Sequence, residues 1–232
     1  MNLHLDDTAD DAAIPLTPLD RAGFASWREQ ASPRQRLWTE QVGFSGEAGT
    51  RCLLPGEDGR LEQVVCGVGN LGSPWSYGDL PARLPAGAYR LSSPLPTPSA
   101  LALGWALGSY DFHRYRKERP FATLAWPAGC DRAAVTREAE AVYLGRNLIN
   151  TPAGDMGPAE LAAAAEALAE QHGARCQLIV GDELLAQNYP AVHAVGRASS
   201  RPPRLIDIRW GDAAAPKLTL VGKGVCFDSG GL

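Results

Sequence analysis

From Asp131 onward, segments of helical periodicity alternate with short apolar runs of strand character, and this alternation constrains the fold more than any other feature. Asp131 opens a helix over 131–148 whose apolar residues recur at Val135, Ala139, Val142 and Ile149. "NTPAGDMGP" breaks it. Pro158 then starts a second helix with Leu161, Ala165 and Leu168 on one face, and Gly173 provides a left-handed stop. There follow "RCQLIV" as a strand, "DELLAQN" as a short helix capped by Asp182, "AVHAVG" as a strand and "RASSRPPR" as a loop. "LIDIRW" sets Ile206, Ile208 and Trp210 against Asp207 and Arg209, predicting a strand with one buried face. "KLTLVG" is apolar almost without interruption after Lys217, the pattern of a central strand covered on both faces. Such an order predicts an α/β layered domain with a mixed or parallel sheet.

The part before Asp131 reads differently. Gly (25 residues) and Pro (18) are frequent enough to predict many short elements joined by turns, without suggesting disorder. The first ~20 residues read as a mobile or loosely docked arm. "TRCLLP" and "LEQVVCGVG", separated by "GEDGR", predict a hairpin. Residues 71–96 are too rich in Pro and Gly to order. "TPSALALGWALGSY" predicts a largely buried helix, with Thr97 as N-cap, Pro98 in the first turn and Leu101, Leu103, Trp105 and Leu107 spread around it. The domain boundary falls after the "WPAG" break. Residues 1–128 form an N-terminal α/β domain and 129–232 begin a second α/β domain with a mixed sheet.

Net charge is −4 and no basic block appears, so nucleic acid is not an expected partner. No apolar run reaches the ~18–20 residues of a membrane-spanning helix. Five cysteines lack a CxxC pair, and the N-terminal segment is acidic rather than positively charged. Both features fit reduced, mostly buried thiols in a cytoplasmic protein.

Ligands of α/β sheets collect at the carboxyl ends of central strands. There the sequence places Lys223 between Gly222 and Gly224, with Asp228 five residues on. A lysine in that position needs acceptors for its ammonium. A brace to Asp228 is one resolution. The other is a metal site, with the carboxylate as one ligand and the amine, if neutral, as another. Spacing alone leaves both open.

The stretch "LTLVGKGVCFDSGGL" closely resembles the signature of the leucyl (cytosol) aminopeptidase family, V-G-K-G-x-x-F-D-S-G-G. Three further stretches resemble that family in the same order: "LGWALGSYDFHRYRK", "GRNLINTPAGDMGPAELA" and "VGRASSRPPRLIDIRW". The resemblance implies an N-terminal α/β domain followed by the first part of a metallopeptidase catalytic domain. It also implies release of N-terminal amino acids from peptides, two divalent ions (Mn or Zn) per complete site, and a homo-oligomer, usually a hexamer. Matched by position, Lys223 would ligate the more weakly held ion and Asp228 would bridge both. Other ligands and the catalytic arginine of the family lie past the position of Leu232. These 232 residues alone are therefore expected to be inactive, with no catalytic residue among them. A buried strand at the extreme end would also leave a bare sheet edge, which predicts a longer polypeptide. The rival expectation is a non-catalytic relative acting as a binding or assembly module.

Other signals carry less. Gly67, Gly69 and Gly72 have GxGxxG spacing, but "SPWS" follows where a dinucleotide site needs a helix. "GKG" lacks the remainder of a phosphate loop, and Phe227 replaces the first glycine of a nucleophile elbow at Ser229. His4, His113, His172 and His193 show no ligand spacing; His172 is expected to cap a helix end. Arg146 reads as a structural partner and Cys226 as a small apolar filler.

Overall fold

The computed structural model describes residues 2–7 and 12–226. The chain divides into two compact units, Met1–Gly145 and Arg146–Leu232.

The first unit is built on a six-stranded sheet. In chain order its elements are β1 (Leu5–Asp6), β2 (Ile14–Leu19), α1 (Arg21–Gln30), α2 (Pro33–Gln41), β3 (Arg51–Pro55) and β4 (Leu61–Gly67). A 3-10 turn at Pro74–Ser76 follows, then α3 (Leu80–Arg83), β5 (Ala88–Leu91), α4 (Pro98–Gly108), β6 (Thr123–Ala125) and α5 (Arg132–Asn150), whose last turn enters the second unit. The strand order is β1-β6-β5-β2-β4-β3, parallel throughout except for the β3–β4 hairpin. The sheet is thus mixed, and the α/β class is as expected.

The hairpin lies where "GEDGR" placed it, closed by the Gly56 N–H donating to the Arg60 carbonyl at 2.6 Å. Residues 14–19 correct the arm reading. They are β2, hydrogen-bonded to β5 on one side and β4 on the other, with Leu16 fully buried. Two prolines in six residues hid this strand from the sequence, because proline lacks the N–H that a ladder uses.

Side chains of β4 alternate between two cores. Val64 and Cys66 join Leu16, Tyr89, Leu101 and Trp105, whereas Val65 joins Phe24, Phe44, Cys52 and Leu54. Helix α4 is buried almost all round, as its composition predicts. Thr97 precedes it without capping it; its hydroxyl donates instead to the Leu71 carbonyl at 2.9 Å. Asp131 does cap α5, accepting from the Ala134 N–H at 3.0 Å. The buried stripe of α5 is Val135, Ala139 and Tyr143, the last packed edge-on against Tyr110. Val142 and Ile149 are exposed, because a buried line at four-residue spacing leaves them on the other side.

The second unit contains α6 (Pro158–Gln171), β7 (Arg175–Val180), α7 (Glu183–Ala186), α8 (Pro190–Gly196) and β8 (Arg204–Arg209). β7 and β8 pair antiparallel, and Ile179 and Leu184 are buried. Helix α6 ends at His172, whose N–H donates to the Leu168 carbonyl, and Gly173 follows with φ +63°. Its most buried residues are Ala162 and Ala169, while Leu168 is exposed.

Three expectations fail here. "AVHAVG" is helix rather than strand, since Pro190 sits in its first turn and pre-sets helical φ. Asp182 makes no cap for α7; its carboxylate instead faces His193 Nε2 at 3.0 Å. Residues 217–222 form no strand, and Leu218, Leu220 and Val221 are 84%, 87% and 94% exposed. Among the described residues β8 pairs with β7 alone, so Ile208 and Trp210 are also exposed.

Of the five free thiols, Cys52 and Cys66 are buried and the other three half-buried, fewer than expected. Burial pushes the Cys52 thiol up to about 11 and, with Asp79 adding to it, that of Cys66 to about 12.

Candidate functional site

The resemblance-bearing stretches of the second unit converge at the start of α6. Residues 151–157 link α5 to this helix as a tight turn, in which Asp155 and Met156 donate N–H groups to the Pro152 carbonyl at 2.8 and 2.9 Å. Gly157 precedes the helix and donates its N–H to Glu160 Oε2 at 2.9 Å, the reaching-back half of a capping box. That carboxyl is held below the usual range, chiefly by its own backbone N–H. Desolvation opposes this, while the Gly157 N–H and the charges of Arg201 and Arg204 reinforce it.

The loop before β8 supplies a second part. Arg201 forks, Nη1 to the Ala153 carbonyl at 2.9 Å and Nη2 to the Gly154 carbonyl at 2.7 Å. The guanidinium lies so close to Gly157 that a Cβ there would stand 2.4 Å from Nη1. A side chain at 157 would have to displace the ends of Arg201 and Glu160, while the φ of −88° suits any residue.

The signature segment is the third part. Gly224 passes over the first turn of α6, where an added Cβ would meet Leu161 Cδ2 at 3.3 Å. Cys226 is half-buried next to it. Its thiol is raised by burial first and by Glu160 second, with Arg201 opposing. Lys223 is exposed and makes no hydrogen bond or ion pair with the described residues. Asp228 lies outside the described residues.

The Lys223 side chain is open to solvent. Among the described residues no group of three or more His, Cys, Asp or Glu could hold an ion. The histidines are dispersed: His113 stands by Asp111, His172 ends α6 and His193 faces Asp182. Gly67, first of the GxGxxG glycines, ends β4, and a Cβ there would strike the Glu47 carbonyl at 2.1 Å. Its 3-10 continuation at Pro74–Ser76 is not the helix a dinucleotide site needs. No helix among the described residues is long and apolar enough to cross a membrane.

Sequence reasoning missed Glu160 and Arg201. Glycine followed three residues later by glutamate, across Pro158, was a readable capping signal. Nothing in "RASSRPPR" singled out which arginine would fork.

The family model for the M17 aminopeptidase N-terminal domain matches residues 14–127, and that for the cytosol aminopeptidase family catalytic domain matches residues 143–232. A protein of Leifsonia xyli named "Probable cytosol aminopeptidase" is 33% identical over 211 residues, covering 82% of this chain and 42% of the relative. The crystal structure of a cytosol aminopeptidase from Coxiella burnetii superposes with a TM-score of 0.88 at 41% identity, over 98% of this chain and 50% of that one. The bottromycin maturation enzyme BotP, in complex with Mn, is 25% identical with a TM-score of 0.67, over 87% of this chain and 46% of that one. The chain thus spans about half the length of the relatives it matches.

Proposed function

The chain belongs to the cytosol aminopeptidase (M17) family, and from that premise we propose that it serves a metal-dependent aminopeptidase that releases N-terminal amino acids from peptides. The observation that carries this reading is the ordered match of both family models, the second of which includes Lys223 and Asp228. In this reading residues 1–128 are the N-terminal domain and residues 129–232 open the catalytic domain.

In this reading Lys223 would hold the more weakly bound of two divalent ions and Asp228 would serve both. Divalent ions bound there supply an activated water and polarise the scissile carbonyl. This chain's part would be to offer the Lys223 amine and the Asp228 carboxylate as nitrogen and oxygen donors. Manganese is the first ion to test, since BotP was solved with Mn. Zinc is the second. Two ions need more ligands than Lys223 and Asp228, so the 232-residue chain alone hydrolyses no peptide. Residence in the cytoplasm and a homo-hexamer belong to the same reading.

The deciding experiment expresses the entire open reading frame and measures manganese and zinc content together with hydrolysis of leucine 4-nitroanilide. Metal uptake and hydrolysis in the wild type, both lost in Asp228→Ala, are expected. Unchanged uptake and rate in the variant would refute the role given to Asp228. A wild type that takes up no metal and cleaves nothing points to the rival reading, a binding or assembly module.

A further inference from the structure

We propose that α2 shields the free edge of β3, and that clearing the side chains it lays there lets β3 pair antiparallel with β3 of a second copy of this chain.

Among the described residues the outer strands of the six-stranded sheet are β1 and β3. β1 is two residues long, too short to template another strand, whereas β3 has five. In an antiparallel pair a residue turns its N–H and C=O to the same side, and that side alternates along the strand. Leu53 and Pro55 turn theirs away from β4, since both carbonyls accept from side chains of α2. Leu53 accepts from Trp38 Nε1–H at 3.0 Å and Pro55 from Arg34 Nη2. The same Arg34 nitrogen meets Glu62 of β4 at 2.7 Å, which holds the guanidinium at the edge. Pro55 has no N–H to offer a neighbour, and a register shift between Leu54 and Pro55 turns the end of the strand aside. An added strand would find its acceptors taken.

Core packing does not account for α2. Of its nine residues only Thr39 is buried. Its polar side chains reach the sheet instead: besides the two bonds to β3, Gln35 Nε2 donates to Gln63 Oε1 on β4 at 3.0 Å. A helix this polar gains little from burial, and what it contributes is donors spaced to meet the edge carbonyls. A second copy suits the uncovered edge. Paired antiparallel about Leu53, two copies of β3 set Leu53 against Leu53 and Arg51 against Pro55, so like charges do not meet. A parallel pair in register would oppose Arg51 to Arg51. Leu53 is 40% exposed and Leu37, on the neighbouring helix, 58%, so a two-fold contact also covers apolar surface.

The test is sedimentation velocity of the full-length protein over a concentration series. The wild type is expected to keep one mass throughout. Arg34→Ala combined with Trp38→Ala, both at exposed positions, clears the two carbonyls. It should add a species of about twice the wild-type mass whose share grows with concentration. Leu53→Pro on that background should abolish the species, because proline at an outward-facing position spares the β3–β4 ladder and denies the second copy a donor. Gln35→Ala loosens α2 on β4 and leaves the β3 carbonyls covered; it should lower the thermal midpoint and keep the wild-type mass. Hydrogen exchange at the Arg51 and Leu53 amides should slow in the associating variant alone. A double variant with the wild-type mass at every concentration overturns the proposal. So does association that survives Leu53→Pro or that Gln35→Ala shows equally. Loss of helical circular dichroism in the double variant overturns it too, since the two side chains would then support the fold rather than cover its edge. None of these readouts depends on metal or peptidase activity, so the shield and the aminopeptidase reading fail separately.

Discussion

Residues 62–67 and 217–222 look alike as patterns, a charged start followed by mostly apolar side chains and a closing glycine, yet they end in opposite environments. In β4, Val64, Val65 and Cys66 are fully buried; in the later segment Leu220 and Val221 are 87% and 94% exposed. The first has β2 hydrogen-bonded along one edge and β3 along the other. The second has no ladder partner among the described residues. A strand is a property of pairing, because an extended segment whose N–H and C=O groups meet only water gains nothing over coil. An apolar run states what would be buried, and only neighbouring edges decide whether it is.

The largest test of this contrast is in the core that β4 helps to build. Trp105 is fully buried, tilted against Tyr89 at 6.2 Å and donating Nε1–H to the Ala122 carbonyl at 3.2 Å. Trp105→Ala should cost about 3–5 kcal/mol in urea unfolding followed by fluorescence of the remaining tryptophans. A cost below about 1 kcal/mol would mean that the cavity collapses and the first unit is softer than its burial indicates.

A matched pair comes next. Leu54, on β3, is 1% exposed and Leu220 is 87% exposed. In this 232-residue chain Leu54→Ala should destabilise by about 2–5 kcal/mol. Leu220→Ala should stay within about 0.5 kcal/mol of the parent. Equal losses would break the comparison, showing that the later segment is packed in solution.

How much of this was legible follows the same division. The hairpin 51–67, the buried helix at 98–108 and the stop at Gly173 could be read because turn chemistry and periodicity act within a few residues. β2 escaped, since Pro15 and Pro18 argue against a central strand until β4 and β5 are known to flank it. "AVHAVG" was misread because branched residues suggest strand, whereas Pro190 at the helix start decided otherwise. The motif singles out Lys223 and Asp228, the latter outside the described residues, whereas nothing local singles out Arg201, because its partners are 47 and 48 residues away. Motifs record chemistry; long-range hydrogen bonds leave no local trace.

Stretches without regular structure allow a finer comparison between the units. Residues 211–226 hold no helix or strand and are mostly exposed, whereas in 109–122 two arginines are gathered around one carboxylate. The Asp111 side chain is 5% exposed and accepts from Arg116 and, at 3.1 Å each, from the Arg119 side chain and backbone N–H. Burial alone would raise its pKa. The Arg119 backbone bond and the two guanidinium bonds outweigh that and hold it below the ordinary carboxylate value. A folded-state pKa lowered in this way adds stability above the unfolded value of ~3.9, and that stability is lost as pH falls through the folded value. Asp111→Asn should therefore destabilise the protein at pH 7 and flatten the acid side of its stability profile below about pH 4, read by urea unfolding at each pH. Asn keeps the shape and one acceptor oxygen but not the charge, so the difference between parent and variant should shrink as pH falls. A difference that persists unchanged at pH 2 would assign the order of 109–122 to its packing, and the charged cluster would then be a consequence of that order.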